Sequence, residues 1–251
     1  MQSLKELIYH FPKHLWLEIS HQEQELAEKH CQNNSNNVAC RNAYVNYLCF
    51  NKIISYLDEE NKLDSDSFLE HLNYQSRLSI WEFVNGSVVE LKQTQIIIIP
   101  SESTEIDDFS VPFEWVDIAS WAGNYYLAVQ MNLEQDESWL RVWGFTTYRS
   151  IKKGKKDNIR RTYSLERKDL IENLNVMWVG MELCPEEKPF VASLPTLPPY
   201  QVEILLQKLG KLTLHSLRLE VSFEQWAILL AEERWRQQLY QLRLKGKKEC
   251  Q

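Results

Sequence analysis

An arginine flanked by aromatic residues is the first group of side chains whose chemistry suits a binding site. Along the segment 139–145, Trp139, Arg141, Trp143 and Phe145 occupy every second position. Alternate residues of a β-strand point to the same face of a sheet, so these four are expected to share one face. A guanidinium beside indole rings can hold a ligand or a partner by cation–π stacking. The alternative, which we favour, is that a helix covers this face and Arg141 packs flat on the indoles inside the fold.

A basic segment over residues 149–161 is the second such group. It contains seven cations and one acidic residue, Asp157, in a chain with a formal net charge of −7. The cations are Arg149, Lys152, Lys153, Lys155, Lys156, Arg160 and Arg161. They could contact phosphate groups or an acidic partner; the alternative is a solvated hairpin tip, the more usual role of a charge run. If the segment binds, reversing the charges of its four lysines together is expected to abolish binding of nucleic acid or of a partner.

No pattern of residues predicts a catalytic or metal site. Structural zinc sites use Cys or His pairs roughly two to five residues apart, whereas Cys31, Cys40 and Cys49 are nine apart and are interpreted as buried thiols. The sequence contains no Gly-X-Ser-X-Gly, His-Glu-X-X-His or Walker motif. We therefore predict no catalytic residues, no metal ligands and no cofactor. An enzyme whose site is assembled from distant residues stays open as an alternative.

The elements that position these residues centre on a predicted antiparallel hairpin. Its strands cover about 125–132 and 139–147, where β-branched and aromatic residues alternate with other residues on either side of a short acidic loop. A second hairpin is predicted for strands 80–84 and 87–92, because Asn85-Gly86 is a typical type I′ turn. Three further elements are predicted: a strand over 95–99 that is buried on both faces, a strand over 161–163, and a helix over 165–174 capped by Ser164.

Helices are predicted before and after this sheet. A strand over 15–19 leads into a helix over 20–32, at whose start Ser20 and Glu23 match a capping box. Further helices are predicted over 38–60, after Ser65 or Asp66, over 200–209 and over 223–244. The last helix has an apolar stripe that includes Trp235 and Leu239, and this stripe is a candidate for partner docking. The predicted fold class is α+β, with a central antiparallel sheet or partly open β-barrel flanked by N-terminal and C-terminal helices.

Four regions are expected along the chain of 251 residues. They are an N-terminal strand and helical layer (1–77), a central β module with its following helix (78–184), a proline-rich linker (185–199) and a C-terminal helical part (200–251). The cysteines are odd in number, and neither a signal peptide nor an apolar run of membrane-spanning length is evident. We therefore expect a soluble cytoplasmic protein with free thiols and no membrane partner.

Several segments of the chain are similar to a known family. They are WEFVNGSVVEL (81–91), IIIIPSE (96–102), VPFEWVDIASWAGNYYLAVQ (111–130), WLRVWGFTTYR (139–149), RTYSLERKDLIENLNVMWV (161–179) and FEQWAILLAEERWRQQLYQLR (223–243). Through them the chain resembles the cyanobacterial DUF1822 family, a domain of unknown function, over about residues 10–245. The resemblance implies a cyanobacterial, cytoplasmic protein and carries over no catalytic residues. It also implies a regulatory partner, either a sigma factor that the protein sequesters or a CHAT-type protease.

These observations lead us to expect a non-catalytic regulatory or protein-interaction protein. Its partner surface is expected to draw on the basic segment, on the face of Trp139, Arg141 and Trp143, and on the last helix. Two alternatives stay open: an enzyme with a site assembled from distant residues, and a nucleic-acid binder that uses residues 149–161. A salt-dependent gel shift would distinguish the nucleic-acid binder from the other two.

Overall fold

The computed structural model describes residues 14–31, 36–59, 80–91, 94–102, 108–134 and 137–182, together with residues 198, 200, 201 and 204. Its strands are β1 (Leu15–Glu18), β2 (Ser87–Leu91), β3 (Thr94–Ser101), β4 (Asp108–Pro112), β5 (Tyr125–Leu133), β6 (Ser138–Thr147), β7 (Lys155–Asp157) and β8 (Thr162–Glu166). Its helices are α1 (His21–Cys31), α2 (Asn37–Glu59), α3 (Ile80–Phe83), α4 (Glu114–Asp117), α5 (Tyr148–Lys153) and α6 (Leu174–Glu182), with a 3₁₀ turn over Arg167–Asp169. The predicted α+β class is confirmed.

Five strands form the main sheet, in the order β1-β6-β5-β3-β2. The predicted hairpin of β5 and β6 lies at its centre and is confirmed. All neighbouring strands are antiparallel except β3 and β5, which are parallel. The parallel pair follows from the long connection through β4 and α4, which returns the chain to the end of the sheet where β3 began. The sheet is therefore mixed, and the strands that the structure describes do not close into a barrel.

Strand β3 shows that both faces of the main sheet are covered. Ile96 and Ile98 pack on one side, in a core to which α2 contributes Leu48, Phe50 and Ile53. On the other side, the remaining isoleucines of β3 pack in a second core with residues of α4 and of a small antiparallel sheet, ordered β4-β8-β7. The four isoleucines are at most 3% exposed, which confirms the predicted burial on both faces. Full burial of each such side chain stabilises the fold by about 1.5–3 kcal/mol.

The predicted capping box at the start of α1 is confirmed. The backbone N–H of Ser20 donates to Glu23 Oε2 over 2.7 Å, and the N–H of Glu23 donates to Ser20 Oγ over 3.3 Å. Lys52 of α2 donates to Glu23 Oε1 over 2.8 Å. Burial alone would raise the pKa of Glu23, but the hydrogen bonds from Lys52 and Ser20 outweigh it and lower that pKa. The same carboxylate thus caps one helix and joins it to the next.

The prediction of a strand over 80–84 and a type I′ turn at Asn85-Gly86 is wrong. Residues Ile80–Phe83 form α3, and the chain enters β2 only after Gly86. The cause is tertiary: Asn46 of α2 donates to the carbonyl oxygens of Trp81 and Val84 and accepts the N–H of Gly86. Gly86 has a φ of +124°, and a Cβ built on it would lie 2.7 Å from Trp115 Nε1. These contacts shape the segment more strongly than its alternating pattern does.

The predicted helix over 165–174 is also wrong, whereas the strand predicted before it is confirmed. Strand β8 continues to Glu166 because it is the central strand of the small sheet. Ser164 faces Ser110 of β4 on one side and Lys155 of β7 on the other, so it does not cap a helix. A helix begins later in the chain, at Leu174.

Several predictions fall outside the described residues. They concern the helix after Ser65, the proline-rich linker, most of the predicted helix over 200–209, and the last helix with Trp235 and Leu239. The boundaries of the four expected regions likewise stay predictions. Within the described ranges, none of the helices combines the length and the apolar character needed to cross a membrane.

Candidate partner-binding surface

The aromatic residues predicted around Arg141 are brought together by the pairing of β1 with β6. Trp16 faces Arg141 in the register of the two strands, and Glu18 faces Trp139. The ring centroids of Trp16 and Trp139 are 5.0 Å apart in an edge-on arrangement. Trp139, Arg141 and Trp143 are 8%, 4% and 5% exposed. These three predicted site residues therefore lie together but inside the fold, and their contact with a partner stays a prediction.

Two guanidinium groups stack on the indole of Trp143. The Cζ atoms of Arg141 and Arg167 lie 3.3 and 3.1 Å from its ring centroid. Groups this close to one centroid would overlap on the same face, so they occupy opposite faces of the ring. The indole Nε1–H donates to Gln130 Oε1 over 3.0 Å. Burial and the positive charge of Arg167 lower the pKa of Arg141 to about 9, so Arg141 remains charged at neutral pH.

Phe145 does not share the face of Arg141, so this part of the prediction is wrong. Ala128 pairs with Gly144 and Val129 pairs with Val142, which leaves Trp143 as the extra residue of a β-bulge. The bulge shifts the alternation, and Phe145 packs in the α2 core on the opposite face. Gly144 permits the bulge because it has no Cβ. Its φ is +150°, and a Cβ built at this position would lie 2.6 Å from the Ile171 oxygen.

His14 completes the buried cluster as a neutral acceptor. Its Nδ1 accepts the Nε–H of Arg141 over 2.9 Å, and its Nε2 lies 3.8 Å from Glu172 Oε2. Burial, followed by the charges of Arg141 and Arg167, lowers the pKa of His14 to about 4. A protonated imidazole could not accept the Arg141 hydrogen bond. The cluster is therefore built for neutral His14.

We predict that this histidine makes the fold sensitive to acid. Because the pKa of His14 is lower in the folded chain than its ordinary 6.5, its contribution is complete above pH 6.5 and is lost as the pH falls towards about 4. His14→Gln keeps an acceptor for Arg141 and does not titrate. The denaturant midpoint, measured across this pH range, should therefore fall less steeply in the variant than in the wild type.

Part of the dependence of the denaturant midpoint on pH should remain in His14→Gln. Burial also lowers the pKa of His30, which contributes with the same sign. The lowered pKa of Glu23 acts at more acidic pH, since its contribution is lost only below its ordinary value of 4.5. Equal slopes in the wild type and in His14→Gln would contradict the assignment to His14.

The basic segment is a structured helix and hairpin rather than a loop. Its first half is α5, where Thr147 Oγ1 accepts the N–H of Ser150 at the helix start. Its second half is β7 and the turn into β8. Ile151 of α5 is buried in the second core, which holds this helix against the small sheet. The cations therefore lie on a helix and a hairpin that pack on the second core.

Some of these cations are engaged by the fold itself. Lys152 contacts Asp117 of α4 and donates to the hydroxyl of Tyr163 over 3.3 Å. Burial would raise the pKa of Asp117, but the hydrogen bonds from Lys152 and Tyr163 outweigh it and lower that pKa. Lys156 Nζ lies 4.8 Å from the ring centroid of Phe113. Arg161 donates to Glu114 Oε1 over 2.9 Å. Arg149 is half-buried on α5.

The turn between β7 and β8 presents an exposed apolar residue. Asp157 Oδ1 accepts the backbone N–H groups of Ile159 and Arg160 over 2.9 and 3.0 Å, which fixes the turn. Ile159 at its tip is 95% exposed. Lys153, Lys155 and Arg160 are exposed, and none of them forms an ion pair with another described residue. We call Lys153, Lys155, Ile159 and Arg160 the exposed basic surface.

Sequence reasoning identified the cations of this surface but missed Ile159. The missed signal is the Asp157-Asn158 pair, a typical turn sequence that places the next residue at a tip. Sequence reasoning also could not separate the cations used within the fold from those that are exposed. That distinction depends on Phe113, Glu114 and Asp117, which come about 40 residues earlier in the chain.

The described residues contain no group of three or more His, Cys, Asp or Glu side chains arranged to hold a metal ion. An open groove of about 510 Å³ lies between the start of α2 and α3. Of the residues that line it, Glu82 is the one that can ionise, and the others are asparagines, Val38, Ala39 and Phe83. A groove of this composition provides no pair of groups for acid–base or nucleophilic chemistry.

Comparison with known proteins places the chain in one family. The family model described as "Protein of unknown function (DUF1822)" matches residues 17–249, which is most of the chain. No curated protein and no solved structure matches it.

Proposed function

The chain belongs to the DUF1822 family, and we propose that it is a non-catalytic interaction protein that binds an acidic partner protein through its exposed basic surface. The observation that carries the proposal is the hairpin tip, where Ile159 is 95% exposed beside unpaired cations on a braced scaffold. A single exposed apolar side chain is common on a protein surface, so the support for the proposal is the combination of Ile159 with neighbouring cations on one ordered turn.

The chemistry of the tip favours a protein over a nucleic acid. Phosphate groups would use the cations and leave Ile159 in water. A partner with an apolar depression rimmed by acidic residues would use both, and its opposite charge would speed association. The chain as a whole has a formal net charge of −7, so positive charge is confined to local regions such as this surface. An acidic partner would be attracted to this surface more than to the rest of the chain, and this difference would orient docking.

Following the family resemblance, we propose that the protein acts in the cytoplasm of a cyanobacterium, where it would regulate a partner protein by binding and sequestering it. A sigma factor and a CHAT-type protease are the partner classes to test first.

We predict that Lys155→Glu combined with Arg160→Glu reduces partner affinity by at least about tenfold, because each reversed charge replaces an attraction by a repulsion. Both residues are exposed, so the fold should be unaffected. Ile159→Ser should weaken binding without changing its salt dependence. The partner is first captured on the tagged chain from a native lysate, and its affinity is then measured with purified components at low and high salt.

The control reverses Lys29 and Lys168, which are exposed elsewhere, and it should bind as the wild type does. Because Lys168 contacts Glu166, the unfolding midpoint of the control is measured as well, to show that loss of this contact leaves the chain folded. Lys152 and Lys156 are left intact, since reversing them would disturb Asp117, Phe113 and Tyr163. Equal affinity of the two double variants would overturn the proposal. Capture of nucleic acid instead of a stoichiometric protein would overturn it in favour of the nucleic-acid alternative.

A further inference from the structure

The groove between the start of α2 and α3 contains two exposed apolar side chains and a carboxylate. Val38 of α2 and Phe83 of α3 both line it and are 72% and 73% exposed. Glu82 contributes the carboxylate, and the asparagine side chains of the lining offer amide groups for hydrogen bonds. The volume of about 510 Å³ is more than one aliphatic side chain needs. The groove therefore suits an apolar anchor that has positive charge beside it.

The tip of the β7–β8 hairpin carries an anchor of this kind. Ile159 is 95% exposed, and the neighbouring Lys155 and Arg160 are exposed as well. The Asp157 carboxylate holds the turn by accepting the N–H groups of Ile159 and Arg160. The tip is thus apolar and positive, whereas the groove is apolar and negative, so the two surfaces are complementary in charge.

We propose that the hairpin tip of one copy of the chain docks in the groove of a second copy. Ile159 packs against Val38 and Phe83, and a cation of the exposed basic surface lies against Glu82. This contact removes apolar surface of both copies from water, and the opposite charges set the orientation. Because it joins two different surfaces, the contact is heterologous.

The positions of the two surfaces in the fold favour contact between copies over contact within one chain. Helix α2, which forms one wall of the groove, packs in the core on one face of the main sheet. The small sheet, whose hairpin ends in the tip, packs in the second core on the other face. The tip therefore meets a groove only when another copy supplies it.

Self-association would also regulate the exposed basic surface. A tip that occupies the groove of a second copy is covered, so an acidic partner would have to compete with that copy. This competition rests on the proposed function, whereas self-association itself does not. A hairpin tip buries little area, so we expect a weak and transient contact.

The test measures the mass of the full-length chain in solution, by analytical ultracentrifugation at low salt with a reducing agent present. The weight-average mass should rise between about 10 µM and 1 mM, the range of weak interfaces. A tip variant, Ile159→Ser, and a groove variant, Val38→Ser with Phe83→Ser, should each associate at least about tenfold more weakly. The matched control is Leu26→Ser, which removes an exposed apolar side chain of α1 and should associate as the wild type does.

Mixing the variants tests whether the tip meets the groove. An equimolar mixture of the tip variant and the groove variant retains one intact tip and one intact groove, so it should form one-to-one heterodimers and no larger species. Glu82→Lys alone should also weaken association, because it places a cation opposite the basic tip. Adding Lys155→Glu combined with Arg160→Glu should restore association, since both pairings across that mixture are attractive.

Three results would each overturn the inference: a wild-type mass that stays constant over this range, a groove variant that associates as the wild type does, or a mixture of tip and groove variants that stays monomeric. The acidic partner of the proposed function should still bind the groove variant, whose exposed basic surface is intact. Failure of self-association and failure of the proposed function are therefore separate outcomes.

Discussion

Asn46→Ala is expected to lower the free energy of unfolding by at least about 3 kcal/mol. Asn46 is fully buried, and its side chain bonds three backbone groups of the segment from α3 to β2. Its Nδ2 donates to the oxygens of Trp81 and Val84 over 3.1 and 3.0 Å, and its Oδ1 accepts the Gly86 N–H over 2.8 Å. Each buried group left without a partner costs about 1–3 kcal/mol.

Asn42→Ala is the matched control for this prediction. Asn42 lies one turn earlier on the same helix and donates to the Glu82 oxygen over 3.2 Å, but it is only half-buried and lines the open groove. Water can replace the Asn42 amide as the donor, so the free energy of unfolding of Asn42→Ala should fall by no more than about 1 kcal/mol. Urea denaturation of both variants compares the two costs directly. Similar midpoints for Asn42→Ala and Asn46→Ala would show that α3 does not depend on the buried amide.

Arg141→Ala is expected to lower the free energy of unfolding by about 3 kcal/mol, an effect similar in size to that of Asn46→Ala. The substitution removes the guanidinium that stacks between Trp143 and Trp16, 3.3 and 4.8 Å from their ring centroids, and it removes the donor to His14. Arg141→Met retains the stem and avoids burying a charge, so it should cost about 1 kcal/mol or less. Thermal or urea unfolding of both variants measures the difference.

Arg167→Ala is the control on the same indole. Arg167 stacks on the opposite face of Trp143 but is only half-buried, so its removal should cost about 1 kcal/mol. Arg141→Lys should not restore the wild-type stability, because an ammonium group cannot stack as a planar guanidinium does. A stable Arg141→Ala variant would mean that the stacked arginine is kept for another role, such as contact with a partner.

Local patterns predicted much of the secondary structure correctly. The capping box of Ser20 and Glu23, the alternation in the central hairpin and the four isoleucines of β3 all depend on neighbours in the chain. These signals are strong because local propensity and burial agree in them. The resemblance in the quoted segments likewise predicted the family.

The failures occur where distant residues decide the local structure. Asn46, about 40 residues away, turns the alternating segment 80–84 into a short helix. The partners of β8 on both sides make Ser164 a strand residue, although its sequence resembles a helix cap. The bulge at Trp143, which the neighbouring Gly144 permits, turns Phe145 to the opposite face, and a single glycine in a strand does not predict such a bulge from sequence.

The candidate site could be predicted only in outline. The composition of residues 149–161 identified a positive region, but not which charges are balanced within the fold. Lys152 and Arg161 are paired with Asp117 and Glu114, so a simple charge count overstates what a partner would meet. Burial of Arg141 likewise depends on β1, which lies more than 120 residues earlier in the chain.

The connectivity of the small sheet has a consequence for how the chain is assembled during synthesis. Strand β4 is made before the central hairpin but pairs with β8, so Asp108 must wait for Glu166 to leave the ribosome. Pairing across such a separation is slow compared with closing the β5–β6 hairpin. The tip that carries Ile159 therefore forms late, and a nascent chain halted after β6 would have the main sheet and α4 but not the small sheet that completes the second core.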